Sequence, residues 1–179
     1  MKVINLWAGP GAGKSTTASG LFYLMKTADM QVELVTEYAK DMTWEGRHEV
    51  LQDQLYITAK QNRKLARLRN HNIDWVVTDS PLLLGTQYMT PDYLGGKFEA
   101  MLFELWNSYD NLNFFIQRKK KYNPTGRNQT ESGAKIIDQN LLDFMSHNGI
   151  QYTNVVGEPY APRTIFDILF GEGAKYEVR

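Results

Sequence analysis

The chain contains no cysteine. This excludes disulfides, thiolate metal sites and cysteine nucleophiles, and it is compatible with a reducing compartment. Its three histidines, His48, His71 and His147, are scattered without metal-ligand spacing, so none is assigned a function. Excess charge is also lacking. Twenty Lys+Arg balance twenty Asp+Glu, so bulk charge predicts no polyanionic partner. No apolar run approaches the roughly 18 residues of a membrane span, and the N-terminus lacks a secretory-leader pattern. The expectation is a soluble cytoplasmic protein with no membrane partner. With neither an internal repeat nor a low-complexity linker, residues 1–179 read as a single domain, long enough to bury a core.

What the chain does have is concentrated near its start. The apolar opening Val3-Ile4 leads into Ala8-Gly9-Pro10-Gly11-Ala12-Gly13-Lys14-Ser15-Thr16. A glycine-rich turn between a strand and a helix lets successive backbone N–H groups face inward around a phosphate, and the helix N-terminus adds partial positive charge. Gly9, Gly11, Ala12, Gly13, Lys14, Ser15 and Thr16 are therefore the expected triphosphate cradle. Lys14 would reach the β- and γ-phosphates, and the Ser15 hydroxyl would ligate Mg²⁺. The pattern G-x-x-x-x-G-K-[ST] has one departure, Ala8 in place of its first glycine.

Strands are expected at Lys2–Trp7, Val32–Thr36, Ile73–Thr78, Leu112–Ile116 and Ile150–Val156, and helices at Ser15–Lys26, His48–Arg69, Phe98–Ser108, Glu131–His147 and Arg163–Phe170. On the long segment, Leu51, Leu55, Ala59, Ala66 and Leu68 are available for a buried stripe. Strands alternating with helices predict a parallel sheet covered on both faces, with its ligand beyond the carboxyl ends of the strands.

Three charged features fall at those ends. Asp79 closes Trp75-Val76-Val77-Thr78, where a carboxylate can hold Mg²⁺ or its water. Glu37 follows Val32–Thr36 and is placed to accept the proton of an attacking hydroxyl, with Tyr38 and Lys40 beside it. The segment Gln117–Gln129 carries five cations and breaks helical regularity at Pro124-Thr125-Gly126. It reads as a mobile basic lid, about 118–131, that closes over phosphates and excludes water. Arg118 and Arg127 are its preferred charge clamps, since guanidinium groups match phosphate oxygens with two donors. A solvated surface loop is the plain alternative, and for the three lysines it is preferred.

Arg47, Gln54 and Gln61 recur every seven residues and would share one face of a continuous helix. They could read a base edge or hold an acceptor phosphate, or simply form a polar solvent face; both readings stand. The region about 40–72 is thus the expected acceptor-binding part. Tyr160, in the loop after the last strand, is placed to flank an adenine ring.

Together Ala8–Thr16, Thr36-Glu37-Tyr38-Ala39-Lys40, Asp53-Gln54-Leu55-Tyr56, Thr78-Asp79-Ser80-Pro81-Leu82-Leu83 and Asn123–Gln129 resemble the P-loop nucleoside and nucleotide kinases. Within these the chain is similar to phage and bacterial ATP-binding proteins akin to the ribosylnicotinamide kinase domain. The resemblance implies a three-layer P-loop NTPase fold with a five-stranded parallel sheet, use of ATP and Mg²⁺, and, for a phage-encoded chain, host cytoplasm. It puts Glu37 where deoxynucleoside kinases have their base, followed by Tyr38 where those usually show proline. Thymidylate-type kinases carry an arginine at the position of Thr36.

The resulting expectation is phosphoryl transfer from ATP to a small acceptor of nucleoside or nucleotide type. Lys14, Glu37, Arg118 and Arg127 would be catalytic, Ser15 and Asp79 would hold the metal, and Tyr38, Arg47, Gln54 and Gln61 would bind the acceptor. A kinase acting on nucleic acid is one alternative, at a 5′-hydroxyl end or a hydroxylated base. A nucleotide-dependent switch is another. A ring-forming ATPase is less favoured, the length leaving no room for a further helical domain.

Overall fold

The computed structural model describes residues 1–90, 92–119, 121–123, 125 and 129–171. Five strands, β1 (Lys2–Trp7), β2 (Val32–Val35), β3 (Trp75–Thr78), β4 (Asp110–Gln117) and β5 (Thr153–Val156), form one sheet in the order β2-β3-β1-β4-β5. Every pairing is parallel. Such a sheet needs crossover connections, and the chain supplies them as helices. These are α1 (Lys14–Thr27), α2 (Tyr38–Trp44), α3 (Gln54–Ala66), α4 (Lys97–Asn107), α5 (Glu131–His147) and α6 (Ala161–Phe170). Short 3₁₀ turns occupy His48–Gln52, Leu82–Gln87 and Tyr93–Gly96.

Alternation along β1 splits the core into two layers. Ile4 and Leu6 face α1 and α6, packing with Leu21, Met25, Ile165 and Phe166. Trp7 points the other way, into Phe98 and Leu102 of α4 and Leu141 and Met145 of α5. Val3 joins that second layer with Val76 and Leu65 of α3. Within this layer Asn5 donates to Asn111 Oδ1 at 2.9 Å, and the Trp7 indole donates to Asn113 Oδ1 at 3.0 Å. These bonds satisfy polar groups that would otherwise be costly to bury between β1 and β4.

The α/β architecture agrees with the expectation from the sequence, as does the five-stranded parallel sheet covered on both faces. One predicted element does not survive. The continuous helix His48–Arg69 is broken: His48–Gln52 is a 3₁₀ turn, and the Asp53 carboxylate accepts the Tyr56 N–H at 3.0 Å, starting α3 afresh. The buried stripe of α3 is also not the predicted apolar one. Leu55 and Ala59 are exposed, and the inward face is Gln54, Thr58, Gln61 and Leu65.

Candidate active site

The parallel strands deliver the loop after β1 and the residues after β2 and β3 to the same edge. Gly11 (φ 79°) and Gly13 (φ 116°) adopt the left-handed backbone that lets the loop turn into α1. Helix α1 starts at Lys14 with no side chain capping it, so its first N–H groups remain available to an anion. The Lys14 ammonium folds over the loop, donating to the carbonyls of Ala8 at 2.7 Å and Gly9 at 3.1 Å. Ser15 and Thr16 are exposed at the helix start.

Pairing of Asn5 with Thr78 brings Asp79 alongside the beginning of that loop, where it is buried. Its Oδ1 accepts the Glu37 N–H at 3.1 Å, tying the ends of β2 and β3 together. Burial pushes the Glu37 carboxyl above its usual pKa, an effect opposed by the Lys14 charge and reinforced by Asp79. Burial likewise lowers Lys14, against the pull of Glu37, Asp79 and Asp138. The two groups therefore face each other in a partly dehydrated pocket, each made easier to neutralise than it is in water.

No cluster of three metal-ligating side chains occurs among the described residues. One carboxylate, Asp79, and one hydroxyl, Ser15, stand at the loop. That donor set suits Mg²⁺, which keeps several waters and binds through one or two carboxylates plus substrate phosphates.

On the opposite side of the loop lies a contact absent from the sequence reading. Asp138 of α5 accepts the Gly9 N–H through Oδ1 at 2.6 Å and the Arg118 Nε–H through Oδ2 at 2.7 Å. Arg118 is 9% exposed, and its two outer nitrogens have no hydrogen-bond partner among the described residues. The Tyr122 ring closes over Gly11, where a Cβ would come within 2.9 Å of it, and the Tyr122 hydroxyl donates to the Gln129 carbonyl. Lys119 pairs with Glu158 at 2.6 Å.

A cavity of about 670 Å³ opens from the loop. Its lining includes Gly11, Gly13, Lys14, Ser15, Thr16 and Glu37, together with Trp44, Gln54, Ile57, Tyr88 and Tyr93, and with Thr125 and Gln129. Tyr88 is 40% exposed, and partial desolvation and the nearby Glu37 and Asp138 carboxylates hold its phenol pKa above the usual tyrosine value.

Of the residues expected from sequence, the loop, Glu37 and Asp79 come together, with Arg118 beside them. Gln54 lines the cavity. Gln61 does not; it accepts the Tyr38 N–H at 2.9 Å and donates to the Ser80 carbonyl at 3.3 Å, bracing the turns that carry Glu37 and Asp79. The Tyr38 hydroxyl is paired with that of Tyr56 at 3.1 Å. Arg47 is separated from both glutamines by the helix break and pairs with Glu45 at 3.6 Å on the surface, so it does not join the inward face that Gln54 and Gln61 share on α3. Tyr160 is 76% exposed at the start of α6, although the turn before it does pack on the loop, a Cβ at Gly157 falling 2.5 Å from the Ala12 carbonyl. Arg127 lies outside the described residues.

Asp138 had a signal that went unread. It interrupts the inward stripe Ala134, Leu141, Met145 of α5, where a carboxylate is out of place unless it has partners.

A family model described as "AAA domain" matches residues 3–163. Among solved structures, the chain is similar to deoxyadenosine kinase from M. mycoides with bound dATP, with a TM-score of 0.55 and 15% identity. That likeness covers 93% of this chain and 98% of the other, and at this identity it is a likeness of fold. No curated protein matches the chain significantly. In membership the chain belongs to the AAA-domain family, and in architecture it has the fold of a P-loop nucleoside kinase.

Proposed function

We propose that the chain transfers the γ-phosphoryl group of ATP to a hydroxyl of a nucleoside. The observation that carries this reading is that the phosphate-cradling loop and a half-buried carboxylate, Glu37, line one cavity together with Trp44, Tyr88, Tyr93 and Gln54.

In the proposed step the acceptor oxygen forms a bond to the γ-phosphorus while the bond to the β–γ bridging oxygen breaks, and ADP departs with that electron pair. The hydroxyl proton passes to Glu37. Gly9, Gly11, Ala12, Gly13, Ser15 and Thr16 cradle the triphosphate, and Lys14 and Arg118 counter the charge that spreads over its oxygens, with Arg127 as a further clamp. Mg²⁺, when bound, would be held by Ser15 and Asp79 and supplies further charge neutralisation on the phosphates. The adenine would rest on the turn after β5, flanked by Tyr160. The segment 118–131 acts as the lid, supported by Thr125 and Gln129 in the cavity lining.

The cavity lining argues for an uncharged nucleoside over a monophosphate. Trp44, Tyr88 and Tyr93 offer faces for a base and Gln54 an amide for its edge, whereas Lys14 and Lys40 are the cations on the lining among the described residues. Thr36 stands where an arginine would be expected to meet an acceptor phosphate.

Replacing Lys14 with alanine should leave the fold intact and lower ATP-dependent turnover by a factor of about 10²–10³, the usual effect of removing one donor to developing charge. Steady-state ADP release measures it. Undiminished turnover in a folded Lys14→Ala protein contradicts the reading.

A further inference from the structure

Three groups meet at the side of the phosphate loop away from Glu37: the loop itself, Arg118 after β4, and Asp138 on α5. Arg118 is held by one nitrogen only. Its Nε–H is bound to Asp138 at 2.7 Å, while its two outer nitrogens are buried and have no partner among the described residues. Leaving several guanidinium N–H donors unmatched in a dehydrated place is costly, unless something supplies acceptors there when the protein works. The guanidinium lies beside the loop, one outer nitrogen being 3.4 Å from where a Gly11 Cβ would stand. The Asp138 carboxylate uses its other oxygen to fix the Gly9 N–H at 2.6 Å. One side chain thus sets the position of the arginine relative to the loop.

Gly9 itself fits this arrangement. Its φ is ordinary, yet a Cβ there would fall 2.5 Å from the Ala134 carbonyl and 2.9 Å from Asp138 Oδ1. The glycine lets α5 come close enough for Asp138 to bridge.

We infer that Asp138 is a positioning residue that locks the Arg118 guanidinium to the phosphate loop with its two outer nitrogens presented to the terminal phosphate of a bound nucleoside triphosphate. The inference rests on the proposed triphosphate site but not on the identity, or even the existence, of an acceptor. A contrary geometry is conceivable from the same contacts: Asp138 as an anion that competes with phosphate and must be displaced. The two make opposite predictions.

The test is equilibrium binding of ADP and of a non-hydrolysable ATP analogue, both with Mg²⁺ and without acceptor, to wild type, Arg118→Met, Asp138→Asn and the double variant. The asparagine keeps an acceptor for the Gly9 N–H but loses the second oxygen that orients Arg118. Each single change should weaken the triphosphate analogue by about tenfold, the size of one charge-assisted contact, while ADP binding changes much less. The double variant should bind no more weakly than Arg118→Met, because orienting an absent arginine achieves nothing. Losses that multiply in the double variant, equal losses for ADP and the analogue, or tighter binding by Asp138→Asn would each overturn the inference. Should Asp138→Asn fail to fold with an unpaired buried arginine, the double variant lacks that charge, and its equality with Arg118→Met decides. A wild-type protein that binds the analogue but phosphorylates no acceptor refutes the kinase reading and leaves this coupling to be judged by the binding alone.

Discussion

At the scale of residues, the site depends on shifting two groups toward each other's proton. Glu37 has a raised pKa and Lys14 a lowered one, both chiefly through burial. For the free enzyme the sign follows directly. A base with a raised pKa remains protonated to higher pH, so kcat/KM should climb with an acidic limb above the ordinary glutamate range. A lysine with a lowered pKa sheds its charge early, so the alkaline limb should lie below the ordinary lysine range. A pH profile measures both. Glu37→Gln should lower kcat by about 10²–10⁴ with ATP affinity little changed, and the acidic limb should vanish from the residual rate. An unchanged kcat would remove Glu37 from the role of base. Both residues were legible in the sequence, Lys14 from the glycine-rich motif that it closes and Glu37 from its place just after an apolar run, where a parallel sheet gathers its ligands. Asp138 was not, because its partners come from loops 20 and 129 positions away and only the fold brings them together.

At the scale of elements, the two helices that matter most to the site carry polar residues on their inner faces. Helix α3 turns Gln54, Thr58 and Gln61 inward, and α5 inserts Asp138 into an apolar stripe. Periodicity alone selects the apolar face as the buried one, and for α3 it selected wrongly, since only Leu65 of its inward face joins the core, while Gln54 lines the cavity and Gln61 bonds the backbone of Tyr38 and Ser80. The strands show the opposite case. Burial on both faces gives β1 and β3 near-continuous apolar runs, which is why these strands could be read directly. The break at His48–Asp53 was harder to see, since it depends on a 3₁₀ turn and a side-chain cap within an otherwise helix-permissive stretch. An element-level consequence is testable at Gly9. A methyl group there meets the α5 backbone at 2.5 Å, a contact that must push α5 off the loop. Gly9→Ala should cost about 1–3 kcal/mol of stability by overpacking, read as a lowered denaturation midpoint, and should weaken ATP binding as well. A variant as stable as wild type would show that α5 does not press on the loop as described.

At the scale of the whole molecule, one sheet edge collects every part of the proposed reaction. The order β2-β3-β1-β4-β5 sets β3 and β4 on either side of β1, so Asp79 and Arg118 flank the phosphate loop, and β2 adds Glu37. The cavity that opens from the loop is lined by residues of α2, α3 and the turns after β3. Among the described residues no helix is long and apolar enough to cross a membrane. Gln54 was legible as an acceptor-binding candidate, whereas Tyr88 and Tyr93 were not, because they come from separate segments and line the same cavity as Gln54 only after folding. Nucleoside phosphorylation is therefore tested most directly by acceptor-stimulated ADP release from MgATP, using nucleosides including nicotinamide riboside, nucleoside monophosphates, and single- and double-stranded oligonucleotides at two salt concentrations, with Glu37→Gln in parallel. The account predicts stimulation by one or more free nucleosides that is insensitive to salt and lost in Glu37→Gln. Stimulation by monophosphates or oligonucleotides alone, or by no acceptor at all, would contradict it.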